Sequence, residues 1–137
     1  MFKNVKRHLK NERGLTLIEL LAVVVILGII AAIAVPSIGG LINNSKKDAH
    51  IANAQMMVSA ARMAVTEGSE TKEFSLKYLV DEEFLEPVTN PSDKGKYDDD
   101  SSVTIGEGSN MVVLKKGSFE YLNGDPQTIK RKDVKVK

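Results

Sequence analysis

The chain has 137 residues, 42% of them hydrophobic and 27% charged, with a formal net charge of +1 and no cysteine. That length allows one small domain plus a long helix, and the absence of cysteine excludes disulfides, thiol catalysis and thiolate metal sites. The near-neutral total conceals a division, because Lys3, Lys6, Arg7, Lys10 and Arg13 stand against Glu12 alone at the N-terminal end.

This basic leader precedes an apolar run in which Glu19 is the one charged residue before Lys46. A hydrocarbon core about 30 Å thick needs roughly 20 apolar residues at 1.5 Å rise each. Residues 15–18 and 20–35 supply that length, so the run predicts a membrane-spanning helix. The basic flank places the leader on the cytoplasmic side and the remainder outside. A carboxylate at membrane depth costs about 2.5 to 3.5 kcal/mol or more and asks for a cationic partner. No Lys, Arg or His lies within the run. A cut between Gly14 and Leu15 would create the missing cation, an α-ammonium four residues before Glu19. An ordinary secretory signal peptide, with residues 31–34 as its small-residue cleavage region, would leave Glu19 unexplained and would discard the whole helix.

Gly14-Leu15-Thr16-Leu17-Ile18-Glu19 after a basic leader resembles the signature of type IV prepilins and pseudopilins. Ala31-Ala32-Ile33-Ala34-Val35-Pro36 resembles the family's helix segment ending at its kinking proline. The resemblance covers residues 1 to about 40 closely and the rest only in layout. The loop containing Leu79, Phe84, Leu85, Pro87, Asn90, Pro91, Gly95 and Tyr97 is loosely similar to that of major secretion pseudopilins, and a Gram-positive competence subunit is the related possibility.

Beyond the apolar run, Ile51, Ala54, Val58, Ala61 and Val65 recur at spacings of three and four, with Asp48, Gln55, Ser59, Arg62 and Thr66 on another face. This pattern predicts an amphipathic continuation of the helix, ended by Gly68. Pro36, with Gly39 and Gly40 after it, predicts a bend or melted turn, or else the end of the membrane helix. Residues 69–73 read as a linker, 75–80 as a short helix or turn, and 88–102 as an open loop. Residues 102–105, 111–115 and 118–122 read as strands, with a short last strand near 132–136. The expected fold is α+β: a long N-terminal helix packed against a small antiparallel sheet, as in pilins. Its divisions are a cleaved leader (1–14), an apolar core helix (15–42), its amphipathic continuation (43–67) and a small head (68–137).

Enzyme chemistry finds no motif. His50 reads as a solvated residue of the helix, and Gly106-Glu107-Gly108 as a turn that lacks phosphate-loop spacing. Asp98, Asp99 and Asp100 offer oxygen ligands for calcium or else a solvated acidic loop; no other cofactor is expected. The basic residues from Lys130 to Lys137 suit protection of an edge strand better than DNA binding, since no aromatic residue is interleaved with them. Met56, Met57 and Met63 are expected to fill the core between helix and sheet.

The resemblance implies a filament subunit and not an enzyme. Prepilin peptidase would cut after Gly14 and N-methylate Leu15, and an assembly ATPase and platform protein would drive a membrane-stored precursor into a homopolymer with minor pilins. Glu19 would neutralise the Leu15 amine of a neighbouring copy, and Pro36 would shape the packed helices. Adhesion or motility, DNA uptake and protein secretion are all served by such filaments. A monomeric, single-pass binding or sensor protein is the alternative from another class.

Overall fold

The computed structural model describes the backbone from residue 2 and side chains from residue 13 onward, so the leader residues Lys3, Lys6, Arg7, His8, Lys10 and Glu12 lie outside the side chains described. The chain divides into two units, Met1–Leu41 and Ile42–Lys137, and helix α1 (Phe2–Thr66) contributes to both.

The first unit is helix throughout. Pro36 lies inside α1 with Gly39 and Gly40 after it, and the helix neither ends nor melts there. The expected melting or ending of the helix at Pro36 is thus corrected. The hydroxyl of Ser37 donates to the Ile33 carbonyl (3.3 Å), beside the gap left by the missing proline amide.

In the second unit α1 ends as Gly68 was expected to end it. Gly68 has φ +105°, its amide donates to the Val65 carbonyl, and the Ser69 amide donates to the Ala64 carbonyl. This paired closure needs a left-handed residue, which glycine supplies without a Cβ penalty. Strand β1 (Glu73–Ser75) and helix α2 (Leu76–Asp81) follow, then β2 (Ser102–Ile105), β3 (Asn110–Lys116) and β4 (Phe119–Gly124). Ser75 caps α2 by accepting the Tyr78 amide at 3.1 Å. The four strands form one antiparallel sheet in the order β1-β2-β3-β4.

One buried cluster joins Ala54, Met57, Ala61 and Ala64 of α1 to Leu79 of α2 and to Val103, Val112, Leu114 and Leu122 of the sheet. Small residues on the helix are met by branched ones on the strands, the size alternation that dense packing favours. The fold is therefore α+β. Of the three methionines expected in the core, Met57 is fully buried, whereas Met56 and Met63 are about half exposed (45% and 49%). The buried stripe runs through 54, 57, 61 and 64, which turns 56 and 63 outward.

Pairing departs from the regular pattern in two places. Leu114 pairs with Leu122 but Lys115 pairs with Glu120, leaving Tyr121 as the extra residue of a bulge. Tyr121 and Leu122 are accordingly both buried although consecutive. The expected last strand is instead a single turn of 3-10 helix, Arg131–Asp133, followed by one ladder-like bond from the Lys135 amide to the Tyr121 carbonyl (2.9 Å).

Candidate functional site

The N-terminal half of α1 is the chemically unusual surface. Every residue from 15 to 33 is exposed, with Leu15 at 60% and Ile33 at 70%. Arg13–Thr66 is a helix long and apolar enough to cross a membrane. Each large aliphatic side chain left in water forgoes about 1.5 to 3 kcal/mol of burial, so this surface requires a cover of lipid or of other apolar helices. Glu19 is exposed on it, and among the described residues no side-chain hydrogen bond or ion pair holds its carboxylate. Gly14 sits at its start, and among the described residues no side chain lies within 4 Å of where a Cβ would be. Gly14, Leu15 and Glu19 therefore share one uninterrupted helical stretch, with Pro36 further along the same helix.

The head contains a polar centre at a residue expected in solvent. His50 is fully buried on α1, stacked on Tyr121 at 4.7 Å between ring centroids. Its Nδ1 lies 2.6 Å from the Tyr97 hydroxyl and its Nε2 2.9 Å from the Ser92 hydroxyl. Asn53 Nδ2 donates to Tyr97 Oη at 3.0 Å and to the Thr89 carbonyl at 3.1 Å. The Tyr97 and Ser92 hydroxyls can each donate or accept, so one ring nitrogen of His50 donates to its hydroxyl while the other accepts from its own. This assigns a neutral imidazole that ties the loop of residues 89–97 to α1. The signal was present in the sequence: 50, 54, 57 and 61 follow the helical period, so His50 continues the buried stripe.

Burial drives the His50 pKa down to about 4, with attraction from Asp93 opposing and repulsion from Lys46 assisting. Burial likewise raises the Tyr97 pKa, against the lowering effect of the Asn53 hydrogen bond. A histidine neutral in the fold and ordinary when unfolded stabilises fully above the unfolded pKa of about 6.5, and this stability is lost as pH falls towards 4. Melting of the full chain in detergent, followed by near-ultraviolet circular dichroism, should therefore weaken between pH 6.5 and 5, by up to about 1.4 kcal/mol per pH unit. In His50→Phe that slope should flatten even though overall stability falls. An unchanged slope in this variant would assign the pH dependence to other groups.

The acidic loop is organised differently from the calcium expectation. Asp98 Oδ2 accepts the Gly117 amide at 2.6 Å, Asp100 pairs with Lys115 at 2.8 Å, and Asp99 is exposed. The Asp100 carboxyl is held below its ordinary pKa chiefly by the Lys115 hydrogen bond. Among the described residues no three acidic or histidine side chains gather closely enough to hold a metal ion. Asp98 and Asp100 thus turn to separate protein partners while Asp99 faces solvent. An open groove of about 710 Å³ beside α1, walled by Met56, Met63, Phe84, Leu85, Pro87 and Val88, has Glu86 as its single titratable lining residue. It offers no partner for acid–base work.

Residues 9–35 match the family described as the prokaryotic N-terminal methylation motif. Two curated relatives, both fimbrial proteins of Pseudomonas aeruginosa, are 37% identical over 62 residues, which is 45% of this chain and 40% of each relative. The chain thus matches under half the length of these relatives. No solved structure matches it.

Proposed function

We propose that this chain is a structural subunit of a type IV pilus or pseudopilus, made as a single-pass membrane precursor and polymerised through its N-terminal helix. The observation that carries this reading is the exposed apolar helix bearing a lone carboxylate, Glu19, inside the stretch that matches the methylation motif. A prepilin peptidase cuts after Gly14 and methylates the Leu15 amine. The leader stays cytoplasmic, and the head, held outside, reaches the cell surface when an assembly ATPase and platform protein draw subunits into a filament with minor pilins. Residues 15–42 then form the filament core, 43–67 carry the head's side of the helix, and 68–137 complete the head.

The polypeptide does this without bond-making chemistry of its own. In the membrane, lipid covers the apolar side chains; in the filament, neighbouring helices replace lipid. That exchange is nearly neutral for apolar surface, since lipid tails are as apolar as leucine, so register must come from polar terms. The pair formed by Glu19 of one copy and the Leu15 amine of another provides it. The filament serves DNA uptake, protein secretion, or adhesion and motility.

Shearing of expressing cells tests the proposal: mature chain beginning at Leu15 should be recovered in sedimentable surface filaments. Recovery in the membrane fraction alone, as separate copies, would support a monomeric anchored binding or sensor protein instead.

A further inference from the structure

We infer that the head carries a basic collar that engages anionic phospholipid headgroups while the subunit is stored in the membrane. The collar rests on the membrane-anchored reading of the chain. The stretch between Arg13 and Lys46, charged at Glu19 alone, would be about 45 to 50 Å long as a helix. A bilayer including its headgroups is about 40 to 45 Å thick, and membrane helices tilt by about 20° on average. Basic residues at both ends of the stretch therefore match the two headgroup layers.

Within the head, two contacts gather further positive charge beside the first turns that follow Lys46. Arg131 binds Asp48 with both carboxylate oxygens, at 2.7 and 2.8 Å, which sets Lys130 and Lys132 beside α1 on one side. Ser92 bonds His50, which sets the turn containing Lys94 beside the same part of the helix. Lys94, Lys130 and Lys132 are exposed, and Lys46 and Lys47 partly so; none of the five forms an ion pair among the described residues. The acids nearby are Asp48, Asp93 and Asp133, of which Asp48 is held by Arg131 and Asp93 by Lys116. The five lysines outnumber Asp133, the one of these acids that no salt bridge holds among the described residues. Anionic lipid is the ligand that lies nearest in sequence terms. Duplex or single-stranded nucleic acid is less well matched, since base stacking needs exposed aromatic rings among the basic groups.

The test uses the full chain, which has no native cysteine. A fluorophore on Thr128→Cys, an exposed position two residues before Lys130, would be read in vesicles containing headgroup-quencher lipid. The vesicles are of phosphatidylcholine alone or mixed with phosphatidylglycerol. Quenching should rise with phosphatidylglycerol and fall at high salt. In K94Q/K130Q/K132Q the ratio of quenched to unquenched heads should drop by about fivefold for each lysine replaced. Flotation with both vesicle types, but equal quenching in each, would overturn the collar while leaving the anchor standing. Failure to float would remove both. Retention of duplex DNA on neutral vesicles, lost in the triple variant and unaccompanied by lipid-dependent quenching, would transfer the surface to nucleic acid and overturn the inference.

Discussion

Replacing Glu19 with valine should yield a subunit that accumulates in the membrane, is processed, folds its head and is then left out of filaments. The substitution removes the one carboxylate from residues 14–45, the stretch of α1 whose large aliphatic side chains are exposed, so insertion becomes easier. The head lies in a separate unit, residues 42–137, whose core includes no residue of the membrane segment. On the proposed assembly, what is lost is the partner for the Leu15 amine in the filament interior. Leaving one member of a buried charge pair unpaired costs about 3 to 5 kcal/mol, which corresponds to a depletion of at least about a hundredfold. Co-expression of tagged Glu19→Val with wild type makes the measurement internal. The tagged form should be scarce in sheared filaments relative to its share in the membrane, and incorporation in proportion to that share would remove Glu19 from the assembly mechanism.

The two halves of the chain differ in how readily their structure could be read. The membrane-length helix and Glu19 stood out because a single charge in a long apolar run is a local signal, independent of anything folded around it. β3 was equally visible, since alternation marks strands with one buried face and it buries 110, 112 and 114 in turn. β1 falls across the end of the expected linker, 69–73, and the start of the expected short helix or turn, 75–80, because the three residues Glu73-Phe74-Ser75 are too few to show a period; pairing with β2 and burial of Phe74 make them a strand. The partners of the acidic loop were hidden for another reason. Asp98 and Asp100 answer to Gly117 and Lys115 on the β3-β4 hairpin, and no local pattern announces a contact made across the fold. His50 was misplaced by choosing the wrong centre for the stripe. Once 50, 54, 57 and 61 are aligned, the histidine joins the core, and the two hydroxyls and the Tyr121 ring around it follow from the bulge and the loop, which only tertiary structure supplies.

Blocking the cut should separate assembly from every other property of the chain. Gly14→Val is a discriminating substitution because among the described residues no side chain lies within 4 Å of the added Cβ and the position is already helical. Valine also has the better helix propensity of the two residues, so the variant has no internal cause to misfold. Any loss must then arise where the chain meets another protein, here a peptidase whose site has to admit the residue before the scissile bond. Intact-mass measurement of membrane extracts should show the full precursor in Gly14→Val and a chain starting at Leu15 in wild type. The precursor should retain the head's near-ultraviolet circular dichroism and should be absent from sheared filaments, because the α-amine proposed to pair with Glu19 never forms. A wild-type chain starting elsewhere than Leu15 would overturn the processing role of Gly14. An uncut Gly14→Val chain found in filaments would instead retain that role and remove the amine–carboxylate pair from assembly.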